Sequence, residues 1–181
     1  MTIAKRVLWI LVSIFGAATA VLLARSEASH LPAARNASLL FVCQNGVAMS
    51  VWSALTFNRA AAERGLQTRA TSRAAAATFT AIPTQMRFAL LLEGYRLGGY
   101  EPRVVAAADL EKIQRVILID TQLPATLSTS NVTLERWGDF PPMREKYWVS
   151  RTVLETKVTA LVGRMASLEH AAEAEARRAL R

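Results

Sequence analysis

Cys43 is the only cysteine in a chain of 181 residues, and its surroundings suit a reactive thiol. The run Leu39–Val42 ahead of it is short and apolar, as expected of a buried parallel strand. After it come Gln44, Asn45, Gly46, Val47 and Ala48, a loop of mostly small residues, and then Met49 and Ser50. Ser50 occupies the position of a helix N-cap, ahead of an Ala-rich segment that begins at Val51. Strand, tight loop and helix N-terminus together make an anion cradle, because unpaired amides and the helix dipole converge there. A thiol in such a cradle is expected to be accessible, to give up its proton readily and to act as a nucleophile. The competing reading of a lone cysteine at a strand end is a small buried hydrophobe.

Composition narrows the classes of function. Apolar residues make up 52% of the chain and the formal charge is +8, which suits a sizeable core with a basic surface. Arg69, Arg73, Arg87, Arg96 and Arg103 are scattered, without the aromatic interleaving of a nucleic-acid surface, so no nucleic-acid partner is expected. The basic balance favours anionic substrates or anionic headgroups. One cysteine excludes an internal disulfide framework, and His30 and His170 are too far apart in sequence for a zinc motif. Neither a metal site nor a cofactor is expected.

The first 25 residues read as a targeting segment. Lys5 and Arg6 precede an apolar span, Val7–Ala24, that carries no charge. Its length of about 18 residues is at the short end of what crosses a bilayer as a helix. Basic charge on its amino side predicts export of everything that follows, to the periplasm or another extracytoplasmic site. Ala18-Thr19-Ala20 and Ser26-Glu27-Ala28 are both patterns a signal peptidase could cut, so cleaved signal and retained inner-membrane anchor stay open. Residues 26–37 read as a polar linker, residues 38–168 as one domain and residues 169–181 as a solvated helical tail.

Elements alternate along the domain. A helix is predicted from Val51, stopped by Gly65, and then a strand over Leu66–Ser72. Ala74–Thr80 reads as a loop, Pro83–Glu93 as a helix stopped by Gly94, and Asp109 as the cap of a short helix. Val116–Asp120 and Val132–Trp137 read as strands, and Gly138–Pro142 as a loop. A closing helix from about Glu145 carries the stripe Leu154, Val158, Leu161, Met165 and Leu168. This is the pattern of an α/β fold with an open parallel sheet of about four strands and helices on both faces. Ligands of such sheets sit at the carboxyl ends of the strands, where Cys43 falls.

From Ser38 to about Leu168 the chain resembles the low-molecular-weight protein tyrosine phosphatase family, which includes one class of arsenate reductases. Phe41-Val-Cys43, Ala62-Glu-Arg-Gly-Leu66, Ser72, Ala108-Asp-Leu-Glu111 and the apolar strand ending at Asp120 correspond to its landmarks. Glu135-Arg-Trp-Gly-Asp-Phe-Pro141 stands where the family has its Asp-Pro loop. The resemblance implies a phosphate-like anion or a phosphorylated substrate, and a phosphocysteine formed by Cys43. It implies that Ser50 hydrogen-bonds the thiolate, and that Asp139 protonates the leaving oxygen and then serves as base for water. Two departures stand out. The family's loop ends in Arg-Ser, where this chain has Met49-Ser50, and Phe140 separates Asp139 from Pro141. The loop from Gln44 to Ser50 is closer to a bacterial side-branch that reads Cys-Glu-His-Gly-x-Ala-Lys-Ser. Three functions follow: a weak or specialised phosphatase, an inactive anion- or partner-binding relative, and an arsenate-reductase-like protein that takes its second thiol from outside.

Overall fold

A computed structural model describes residues 30–141 and 146–179; the apolar span Val7–Ala24 lies outside the described residues. Four parallel strands form one open sheet: β1 (Leu39–Cys43), β2 (Ala70–Ala74), β3 (Arg115–Ile119) and β4 (Thr133–Trp137), in the order β2-β1-β3-β4. The helices are α1 (Met49–Glu63), α2 (Thr84–Leu92), α3 (Ala107–Leu110) and α4 (Tyr147–Ala179). The open parallel sheet with helices on both faces is the predicted architecture. Among the described residues no helix is long and apolar enough to cross a membrane.

The sheet is buried on both sides, which explains why its central strands are continuous apolar runs. Leu39, Phe41 and Cys43 of β1 point into the main core with Ile117 and Ile119 of β3. That core also takes Trp52, Leu55 and Phe57 of α1, Leu90 of α2, and Leu154, Val158 and Leu161 of α4. The alternate residues Leu40, Val42, Val116 and Leu118 face a smaller cluster with Val105, Leu110 and Ile113 around α3. The closing stripe is therefore a sheet-packing face as far as Leu161, while Leu168 is exposed. Residues 30–37 lie against the domain: Ala34 and Ala37 are buried, and Thr71 donates to the Pro32 carbonyl at 2.7 Å.

Gly65 does end α1. At φ +72° it takes the left-handed conformation that closes a Schellman motif, with Gly65 N–H bonded to Ala62 O and Leu66 N–H to Ala61 O. Leu66 then tucks into the core, so it is the hydrophobic partner of the cap and not the start of a strand. The predicted strand Leu66–Ser72 is corrected to Ala70–Ala74. Asn58 on α1 explains where it starts, because its buried side chain accepts from Ala70 N–H at 2.7 Å and donates to Ala70 O at 2.9 Å. Asp109 is also reassigned. It is the third residue inside the frame of α3, whose N-cap is Ala106, and its carboxylate accepts the Ala106 N–H at 3.0 Å.

Arg73 projects from β2 towards α3, is 3% exposed, and meets Asp109 at 2.7 Å. Burial by itself would raise the Asp109 carboxyl; the Arg73 bond, the Ala106 amide and the nearby Arg103 outweigh it and hold that carboxyl below its ordinary range. A lowered carboxyl stabilises the fold above its unfolded pKa and loses that contribution as pH falls through the folded value.

Two stability measurements follow. Asn58→Ala leaves both Ala70 backbone groups buried without partners, at about 1–3 kcal/mol each, so the urea midpoint should fall with little change in slope. Asp109→Asn should destabilise fully at neutral pH, and the gap to wild type should close only on acidification below about 3.9, the ordinary aspartate value. A gap independent of pH would show that the Asp109 charge contributes nothing.

Candidate functional site

Cys43 is the last residue of β1, in register with Ala74 of β2 and Ile119 of β3. β1 is the central strand at which the chain changes direction, since β2 lies on one side and β3 on the other. A crevice opens at the carboxyl ends of strands at such a point. The thiol is 4% exposed, so the site holds it deeper than the accessible thiol expected.

The loop Gln44–Ala48 is pressed against the end of β2. Ala75 N–H bonds Cys43 O and Ala76 N–H bonds Gln44 O, both at 2.9 Å, extending the pairing beyond the strand. Gly46 has φ +63°, and a Cβ there would stand 2.9 Å from Ala74 N, against backbone that has no freedom to yield. Gln44 and Asn45 are tied outward: Thr121 donates to Gln44 Oε1 at 3.1 Å and Thr78 to Asn45 Oδ1 at 2.8 Å. Val47 is buried, and Ala48 and Met49 are partly buried against the main core.

Ser50 is not the N-cap. That residue is Ala48, which offers no side-chain cap, and Ser50 is the second residue of α1. The reason lies in its hydroxyl, which is fully buried, 3.0 Å from Cys43 Sγ, and the acceptor of a 2.9 Å bond from Ser72. Ser72 supplies the proton between the two serines, and either atom can be the donor between Ser50 Oγ and Cys43 Sγ. Tyr100 lies next to the serines, its single hydroxyl proton shared between Gly46 O at 2.8 Å and Ser72 Oγ at 3.2 Å. Burial, the largest cause, pushes the Tyr100 phenol up to about 12, so it is a proton donor at every physiological pH. Hydroxyls from three separate elements are thus gathered beside the thiol.

Asp139 lies in the loop after β4, exposed, with φ +66°. β4 is two strands from β1, a lateral separation of about 10 Å, at the same end of the sheet. The loop is held by Asp120, whose carboxylate accepts the N–H of Asp139 at 3.1 Å and of Phe140 at 3.2 Å. Asp120 itself has φ +45°. Among the described residues these two aspartates are the only non-glycine residues in the left-handed region, and they are bonded to each other. Backbone strain gathered at one end of the sheet marks a place the fold over-determines.

Cys43 and Ser50 are therefore in direct contact, and Gln44–Met49 form the turn between them. Tyr100 and Asp120 were not singled out as site residues from the sequence, and Ser72 only as a landmark. Tyr100 follows Gly98-Gly99, which signals a turn and says nothing of where the phenol points. Asp120 reads as the polar end of a strand.

No protein-family model matches the sequence, and no curated protein matches it. Solved structures do match in fold. A protein tyrosine phosphatase from Entamoeba histolytica aligns with TM-score 0.59 and 14% identity, over 72% of this chain and 96% of that one. A low-molecular-weight protein tyrosine phosphatase from Bacillus subtilis gives TM-score 0.58 and 16% identity, over 71% and 97%. An arsenate reductase from Archaeoglobus fulgidus gives TM-score 0.53 and 17% identity, over 71% and 98%. The chain has the fold that these low-molecular-weight protein tyrosine phosphatases and arsenate reductases share, with Cys43 at the carboxyl end of its first strand.

Proposed function

We propose that this chain is an exported oxyanion-binding domain on a phosphatase frame, whose phosphomonoester hydrolysis is weak or lost. The observation that carries the reading is the pairing of Cys43 Sγ with Ser50 Oγ at 3.0 Å, beside a loop that has Met49 where the resembling family has an arginine. The first-turn amides of α1 and the loop amides supply donors for an oxyanion. Cys43 is the group that would attack phosphorus, with the displaced alkoxide taking a proton from Asp139. The phosphocysteine bond would then break on attack by water, whose proton returns to Asp139. Export rests on Lys5, Arg6 and the Val7–Ala24 span.

Met49 sets the expected level of activity. It stands at the position of the arginine fork, provides no donor, and packs against the core with Ala48 and Phe140. Two charge-assisted bonds at about 1.5–3 kcal/mol each are missing, which corresponds to roughly 100- to 10,000-fold in rate. The same packing favours the binding-only form of this reading, because an apolar side chain that contributes to the core is retained for stability without regard to turnover. Substrate identity is not set by these contacts.

Met49→Arg is the decisive variant, assayed with a generic aryl phosphate. Turnover should rise by about a hundredfold or more, and Met49→Arg with Cys43→Ser should abolish the gain. Wild-type turnover that arginine does not improve would mean that another donor already serves the site. Tyr100→Phe removes only the hydroxyl at the far end of the relay. In the Met49→Arg background it should slow alkylation of Cys43 and lower turnover by about tenfold, and the urea midpoint should fall as well because the Gly46 carbonyl loses its partner. Equal alkylation rates would mean that the relay does not reach the thiol.

A further inference from the structure

α2 leaves three large apolar residues in solvent. Of Thr84–Leu92, Leu90 alone is fully buried, and Met86 packs half-buried beside it. Phe88, Leu91 and Leu92 are 60%, 62% and 72% exposed. Their spacing of three and four residues puts them on one face of the helix. Phe88 and Leu91 line a cleft of about 610 Å³ together with Gly98, Arg87 and Arg96, both arginines exposed. Within residues 83–100 the single carboxylate is Glu93. It is already engaged by Trp52 at 3.0 Å, Tyr147 at 3.1 Å and Arg151 at 3.0 Å. No free acidic group of that segment therefore offsets the two arginines. The turn of α4 fastened to Glu93 adds a further exposed pair, Trp148 and Val149.

We propose that this face of α2 docks on an anionic lipid surface. Apolar side chains rimmed by arginine, with a tryptophan nearby, are what the headgroup boundary of a bilayer accepts. The start of the described chain points to the same surface. The His30 ring lies 3.9 Å from where a Cβ on Gly98 would be, and Gly98 lines the cleft. Residues 25–29 separate His30 from Ala24, a reach of at most about 20 Å. The inference rests on the reading that Val7–Ala24 is held in a bilayer; if so, this edge of the domain cannot leave the surface. A second copy is disfavoured because a twofold pairing of this face would set arginines against arginines. The charge-free span 7–24, were it to lie in the cleft, would give Arg87 and Arg96 no counter-charge.

The full chain carrying Cys43→Ser and Leu91→Cys, labelled with bimane, is mixed with phosphatidylglycerol vesicles that bear a nitroxide headgroup lipid. Emission should fall by about half or more. The same label on Ala107→Cys, on the opposite face of the sheet, should keep its emission. Arg87→Ala with Arg96→Ala should abolish the difference between anionic and phosphatidylcholine vesicles. Flotation separates the two readings. A chain that floats with the vesicles while its Leu91→Cys label stays bright overturns the docking face and leaves the anchor intact. A chain that does not float at all overturns both. A label shielded only as protein concentration rises, with cross-linked dimers, assigns the face to a second copy and overturns the lipid proposal.

Discussion

A hydrogen bond between a helix hydroxyl and a strand-end thiol requires the helix to begin almost on top of the strand. Ser50 and Cys43 meet at 3.0 Å because only five residues turn the chain from β1 into α1, and because that turn is flattened against β2. The flattening depends on Gly46. Any side chain at that position would collide with the backbone of Ala74, and the left-handed φ would be strained besides. Once the loop lies flat, its carbonyl at Gly46 is brought to Tyr100, and Ser72 on the adjacent strand comes level with Ser50. One steric condition thus sets the geometry of four polar side chains drawn from β1, α1, β2 and the loop after α2.

The position of Ser72 in this arrangement is set by the register of β2. Asn58 captures both backbone groups of Ala70, which fixes where β2 begins and therefore which of its residues reaches Ser50. A slip by one residue would exchange Ser72 for Arg73, since successive strand side chains point to opposite faces. Arg73 is in turn committed to the other face by its ion pair with Asp109. The two polar partners of β2 hold its register from opposite sides, one through a neutral amide and the other through charge.

The layout of the sheet was legible because it depends on burial alone. Leu39–Val42 and Val116–Ile119 lie between two helical layers, so both strands are apolar throughout and stand out without reference to partners. β2 was misplaced for the opposite reason: Ala70–Ala74 is fully buried yet reads Ala-Thr-Ser-Arg-Ala, because its polar residues are satisfied by Pro32, Ser50 and Asp109. Leu66 looked like the start of that strand when it is the anchor of a helix cap. At the site, residue type identified Cys43 and Ser50, since a thiol and hydroxyl seven apart across a strand-to-helix turn can meet by local geometry. Tyr100 and Asp120 act from 54 and 19 residues away, through contacts that only the folded chain defines.

What remains of the site when its cation is absent is best judged from how each part is retained. Gly46, Ser50, Ser72 and Tyr100 form a network whose members satisfy one another in a buried place, so the loss of any one would leave unpaired groups and cost stability. Such a network can persist for folding reasons with no demand from chemistry. Asp120 and Asp139 are different. Both sit at the surface in conformations that glycine or asparagine would adopt with less strain, and neither contributes to the core. A loop held in a strained form, by a carboxylate that bonds two of its amides, is over-determined relative to what stability requires. The buried network around the thiol is thus held by its contribution to folding, whereas the aspartate pair two strands away is held by contacts that add nothing to the core.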